Sequence, residues 1–441
     1  MTLLHEFRRH LATLRLPPGR GLIAVSGGPD SAVLLDLLHH TREQHRLDLV
    51  VGHFEHGIHP DSATVAAQVR ASAGAYHLAY EEGRGELGPG AGETLARQAR
   101  YAWLEATCLR VGATILFTAH HADDQIETVL MRALCGSGPA GLAGMLARRA
   151  AIVRPLLPFR REVLGRYLRS ERLRAWDDPA NGDPRHLRAW VRGDLLPMLR
   201  TRLPKVDESL LSVGRQAARD RAAWSAALEL LPGLDFRLER DGFSVAAGVL
   251  SGYDSALAES VLMSAARRVG CRLGPVRAGR LLRVATQGTS GATMPLGAGW
   301  AAELAFGRLL VGPELAPSVP AAWGVVGLDG ERQWGRWRIR WVAETAPLTH
   351  ERHTLTAWVA AAAPLEVRGW TAGERIRPIG GAGRRLVVRC FQDARVPRSR
   401  RAEWPVLAGP DGAVWVPGVC RSDALLPVPA TEALRIDAEY A

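Results

Sequence analysis

Four apolar residues in a row, Leu22, Ile23, Ala24 and Val25, precede a polar break, after which Val33, Leu34, Leu37 and Leu38 recur at helical spacing. The pattern predicts a strand buried on both faces, then a helix with an apolar stripe. Leu47–Phe54 reads as a second strand and Asp61–Gly74 as a helix, with a third strand candidate at Ala75–Tyr80. Glu93–Gly112 is a helix closed by glycine, Ala113–His120 a further strand, and Asp123–Leu134 the helix that follows it. Such alternation predicts an α/β fold, a doubly wound parallel sheet whose ligands sit at the carboxyl ends of its strands. Ser26, His53 and His120 all fall at such ends. The N-terminal MTLLHEFRRHLATLRL has no signal-peptide core and reads as an amphipathic helix over the first strand.

Farther along, Arg154–Leu173 extends this domain with a strand and a basic helix. A turn-rich stretch from Trp176 becomes helical and ends in prolines near Pro197 and Pro204, where the first boundary is placed. Residues 205–314 are expected to form a mostly helical domain, and Pro313–Gly324 a linker. The remainder, 325–441, is expected to be β-rich. In Arg336–Val342, Trp337, Ile339 and Trp341 alternate with arginines, the period of a half-buried strand. No stretch of the chain is long and apolar enough to span a membrane.

Charge sharpens this picture. The chain carries a formal net charge of +11 and a pI near 10.2, which points to a polyanionic partner. Lys205 is the only lysine, so the positive charge is almost wholly arginine, suited to bidentate phosphate contact. The five cysteines are scattered with no Cys-x-x-Cys, which disfavours a zinc ribbon, a redox pair or an iron–sulfur cluster and fits a reducing cytoplasm.

Between the first strand and helix lies Ser26-Gly27-Gly28-Pro29-Asp30-Ser31. Two glycines leave the backbone amides unshielded, and the helix adds its positive end, so the bend suits phosphate. Turn chemistry with a helix cap is the plain alternative. No Gly-Lys-Ser/Thr closes the loop, so phosphate charge there must be met by a metal ion or by arginines. The second dense cluster is HHADDQIET, His120–Thr128, where Asp123, Asp124 and Glu127 stand at a helix start. The helix dipole alone favours acids there, yet carboxylates facing a phosphate loop also suit Mg²⁺ or a cationic substrate. His53, His56 and His59 follow the second strand without a thiolate partner. Substrate contact through His56 is the favoured reading over metal ligation. Arg97 or Arg100, on the Glu93–Gly112 helix, would supply charge to a nucleotide, although a solvated helix face looks the same.

Taken together these motifs resemble the N-type ATP pyrophosphatases, or PP-loop proteins, and within them the tRNA(Ile)-lysidine synthases. The resemblance rests on SGGPDS, HFEHG, ETLARQARY, HHADDQIETVLMRALCGSGPAGLAGM, RPLL, and DPANGD with VRGDLLPML. In the tail it rests on GWTAGERIRPIG and VRCFQDARVPRSRRAEWPVL. Cys135 and Ala189 depart from the family's usual arginine and asparagine, which weakens an RNA or loop contact there. The resemblance implies an adenine nucleotide alpha hydrolase-like domain. Its reaction is ATP-dependent ligation of L-lysine to C2 of the wobble cytidine of an isoleucine tRNA with a CAU anticodon, through an adenylated base. It implies ATP and Mg²⁺, with Ser26, Gly27, Gly28, Pro29, Asp30, Ser31 and His56 at the nucleotide and Asp30 with Asp124 at the metal. Asp30, Asp123, Asp124, Glu127 and Arg97 are the catalytic candidates, and which acid takes the lysine ammonium stays open. Arg384, Arg385, Arg389, Arg395, Arg398, Arg400 and Arg401 are the candidates for gripping tRNA. A homodimer is left open, as are a related tRNA thiolase and a non-catalytic ATP- and RNA-binding protein.

Overall fold

The computed structural model describes residues 2–55, 62–85, 93–176, 187–314, 319–350, 354–360 and 364–440. His56 and His59, residues 315–318 of the 313–324 linker and most of the turn-rich stretch after Trp176 lie outside them. The chain divides into two compact units, 1–223 and 224–441.

In the first unit, β1 (Gly19–Ala24), β2 (Leu47–Glu55), β3 (Ala79–Arg84), β4 (Ile115–Phe117), β5 (Arg148–Arg149) and β6 (Ile152–Val153) form one sheet. Its order is β3-β2-β1-β4-β6-β5. All pairs are parallel except β5 with β6. The connecting helices are α1 (Leu3–Thr13), α2 (Pro29–Thr41), α3 (Ser62–Ala75), α4 (Glu93–Val111), α5 (Ala122–Leu134), α6 (Pro139–Leu142) and α7 (Arg161–Ser170). The order reverses at β1, between β2 and β4, and a crevice opens there at the strands' carboxyl ends. The expected doubly wound sheet is present, and α1 buries Leu3, Phe7 and Leu11 as an amphipathic cover.

The central helix α2 is apolar almost all round because other elements cover it: Val33, Leu34, Leu35, Leu37 and Leu38 are all buried. Its one buried acid, Asp36, is compensated by two phenols, Tyr76 and Tyr167, each donating to a carboxylate oxygen at 2.6 Å. Two strands differ from expectation. No strand lies within Arg154–Leu173, because β6 ends at Val153 and residues 154–160, with Pro155 and Pro158, run through turns to α7. The other is β3: helix α3 runs on through Ala75, His77 turns at a positive φ of 54°, and β3 covers Ala79–Arg84 instead of Ala75–Tyr80. The β2 ladder sets that register, Val50 to Ala79 through Glu55 to Arg84. The polar end of this edge strand carries no apolar signal.

In the second unit, β7 (Arg237–Glu239), β8 (Gly242–Ala246), β9 (Thr293–Gly297), β10 (Trp300–Ala305) and β11 (Arg308–Pro313) form an antiparallel sheet ordered β7-β8-β11-β10-β9. The middle stretch is helical over Val206–Leu230, Ser255–Arg268 and Pro275–Gln287, in line with expectation. It also carries these five strands, which the expectation left out because their sequences show little period-two contrast. Helices Ser255–Arg268 and Pro275–Gln287 share their core. The tail is β-rich as expected, and Trp337, Ile339 and Trp341 are buried along its Trp337–Thr345 strand.

Candidate active site

The bend after β1 owes its shape to local chemistry. Gly27 has φ +91°, and a Cβ there would run into Val65 Cγ1, so only glycine fits. Pro29 begins α2, where its missing N–H costs no helix bond. The Ser31 hydroxyl donates to the Gly28 carbonyl at 2.8 Å, and Gly27 O accepts from Trp176 N at 2.9 Å. The loop is thus braced from within and from the segment after α7.

One cavity of about 480 Å³ opens on this bend. Ser26, Gly28, Pro29, Asp30 and Ser31 line one wall, and His53, His120, His121 and Asp124 line another. The three strand-end positions therefore converge on a single cavity. Arg100, Arg161 and Arg192 also reach its wall, which places positive charge beside a loop that has no lysine. Arg97 does not line it; its guanidinium lies over the Tyr101 ring, 5.0 Å from the centroid.

The acids separate. Asp124 lines the cavity, with one oxygen accepting from His121 N at 3.0 Å and the other from Arg188 at 2.9 Å. Asp123 turns to Arg160 at 2.8 Å and accepts from Arg161 N at 2.7 Å. Although burial opposes it, these bonds hold the Asp123 carboxyl below its usual range. Glu127 is only 3 % exposed. It is gripped by Arg188 at 2.7 Å and Arg192 at 2.6 Å, and is absent from the cavity wall.

His121 connects the two motifs, and the sequence reading passed over it. It caps α5 by accepting the Asp123 N–H on Nδ1 at 3.2 Å. Its Nε2–H then faces Asp30 at 3.4 Å and Asp124 at 3.5 Å. Burial would lower its pKa, but the hydrogen bond to Asp30 and the charges of Asp124, Asp30 and Asp123 raise it. The signal was a His-x-x-Asp capping box at the strand-to-helix junction. Arg188 and Arg192, four residues apart on the 187–195 helical segment, were missed as well. His120 beside them is pushed down to about 3 by burial and then by Arg154, Arg97, Arg188 and Arg100, so it is neutral.

No group of three or more His, Cys, Asp or Glu side chains suited to a metal occurs among the described residues. Magnesium held with a nucleotide needs only one or two carboxylates, phosphate oxygens and water completing its shell. Asp30 and Asp124, hard oxygen donors brought to one imidazole edge, fit that requirement. No cysteine lines the cavity.

A glycine bend and an acidic helix start on one parallel-sheet rim fit one class, the PP-loop α/β proteins that use ATP. The PP-loop domain family matches residues 3–199, and the TilS substrate C-terminal domain family matches 365–437. The chain belongs to the tRNA(Ile)-lysidine synthase family. A tRNA(Ile)-lysidine synthase of Symbiobacterium thermophilum is 31% identical over 97% of this chain and 95% of that protein. One of Geobacter sulfurreducens is 30% identical over 92% and 90%. One of Alkalilimnicola ehrlichii reaches 40% identity, but the match spans 58% of this chain and 57% of that protein. Among solved structures, a U34-tRNA thiolase of Methanococcus maripaludis aligns over 49% of this chain and 78% of that chain. Its 17% identity and TM-score of 0.41 are too slight to bear on activity. The thiolase reading is the less supported one.

Proposed function

We propose that this protein joins L-lysine to C2 of the wobble cytidine in an isoleucine tRNA with a CAU anticodon, converting ATP to AMP and pyrophosphate. One observation carries the reading: Gly28 of the bend and Asp124 of α5 line the same cavity. Its volume suits a small-molecule ligand with a base presented beside it.

In the first step the cytidine O2 attacks the α-phosphorus of ATP, and the bond to the bridging oxygen of pyrophosphate breaks. The amides of the Ser26–Ser31 bend and the positive end of α2 receive the leaving group. Arg100, Arg161 and Arg192 balance charge around it. Magnesium held by Asp30 and Asp124 would lower the charge facing the nucleophile. His121 keeps the two carboxylates in register.

In the second step the lysine ε-amine attacks C2, and AMP leaves with the former O2. That amine has a pKa near 10.4 and must first lose a proton. The three candidate acids for that proton are Asp123, Asp124 and Glu127, of which Asp124 lines the cavity. The 205–314 and 325–441 stretches are assigned to holding tRNA, and the protein to the cytoplasm.

The test is to incubate purified protein with ATP, isotopically labelled lysine and the tRNA, then weigh the tRNA by mass spectrometry. The expected result is a gain of one lysine minus water, with AMP and pyrophosphate formed in equal amount. Formation of ADP and phosphate, or an unchanged tRNA mass, overturns the reading.

A further inference from the structure

Glu303 stands in the middle of β10 and is 4 % exposed. Its two carboxylate oxygens accept the backbone N–H of Arg398 at 2.7 Å and of Ser399 at 2.9 Å. These amides open the four-residue helix Arg398–Arg401. So short a helix has no stability of its own, and its first amides have no partner within it. A buried carboxylate would equally be an orphan without them. Each feature completes the other through charge-assisted bonds.

The choice of partner matters. Arginine side chains surround this turn, yet Glu303 takes backbone amides. Arg401 is turned inward, both Nε and Nη2 donating to Val396 O, and Arg400 reaches Glu239 at 3.4 Å. Arg398 stays exposed, its guanidinium without a hydrogen-bond or ion-pair partner among the described residues. The acid thus fixes the turn without neutralising the outward cation.

We propose that Glu303 is a positioning residue for tRNA: it holds the 398–401 turn so that the Arg398 guanidinium stands ready for a backbone phosphate. The inference rests on the reading that the tail arginines grip tRNA. Glu303→Ala, Glu303→Gln, Arg398→Ala and the Glu303→Ala/Arg398→Ala double variant of the full chain test it, with tRNA binding measured across salt concentrations and lysine incorporation measured against tRNA concentration. Glu303→Ala and Arg398→Ala are each expected to raise the KM for tRNA roughly 5- to 10-fold with kcat within about two-fold. Each should flatten the log–log salt dependence by about one contact. The double variant is expected to match the single ones, because both remove the same contact. Glu303→Gln keeps one acceptor and should fall between wild type and alanine. A wild-type salt slope in Arg398→Ala overturns the tail reading and this inference with it. A flattened slope in Arg398→Ala beside an unchanged KM and slope in Glu303→Ala overturns the inference alone, whatever happens to melting temperature. Losses that multiply in the double variant overturn it too.

Discussion

Gly27 and Asp124 carry separate burdens that substitution can tell apart. Gly27→Ala would place a Cβ against Val65 in a backbone conformation with φ +91°. The expected loss is about 1–3 kcal/mol of stability together with weakened ATP binding, read by chemical denaturation and nucleotide titration. Asp30→Asn and Asp124→Asn are expected to lower lysine incorporation by roughly 10²-fold or more at unchanged tRNA affinity. The melting temperature should be lowered only in Asp124→Asn, which loses the charge paired with Arg188. Loss of tRNA affinity in both would mean that these acids serve folding. His120 gives a pH signature. In the folded chain it takes a proton only at about 3, against an ordinary 6.5, owing first to burial and then to Arg154, Arg97, Arg188 and Arg100. Between those values the unfolded chain binds the extra proton, so stability falls as pH falls. The His120 contribution is therefore complete above about 6.5 and is lost by up to about 1.4 kcal/mol per pH unit below it. Urea unfolding of His120→Gln should show a smaller stability loss between neutral pH and about 4.

Helix α5 has two faces with different duties. Asp124 stands on the cavity wall, while Glu127, one turn along, anchors Arg188 and Arg192 of the 187–195 helical segment. Breaking that anchor leaves Asp124 as the remaining acidic partner, at 2.9 Å from Arg188 and 3.7 Å from Arg192. Glu127→Ala is expected to cost about 2–3 kcal/mol, less than a fully buried pair because both guanidinium groups keep some contact with water. Limited proteolysis should then cut within 187–202 sooner than in wild type. Equal protease resistance would show that the segment is held by other means. Activity should fall here in step with stability, whereas in Asp124→Asn it should fall much further than stability does.

The whole chain's charge of +11 finds an outlet in its exposed tail arginines. Arg384, Arg389, Arg395 and Arg398 face solvent, whereas Arg385 is paired with Asp393 at 2.6 Å. Replacing Arg384, Arg389 and Arg395 by glutamine should weaken tRNA binding and flatten its salt dependence by up to about 0.9 per lost phosphate contact. Nucleotide binding in the first unit should be unaffected, and an unchanged slope would exclude these residues from phosphate contact.

Most strand and helix periodicities of the first unit, the glycine bend at Ser26–Ser31 and the acidic start of α5 were legible in the chain. Each depends on neighbours a few residues apart, where backbone preference and burial period are written. Which acids face the cavity was not legible, because their partners arrive from afar: Asp123 meets Arg160, and Glu127 meets Arg188 and Arg192. The register of β3 was likewise decided by its ladder with β2. The sequence by itself determined the kind of chemistry and the sheet that carries it. Only the tertiary structure decided that His121 joins Asp30 to Asp124 while Asp123 and Glu127 are taken by arginines, since a carboxylate's role depends on which charges folding brings within reach.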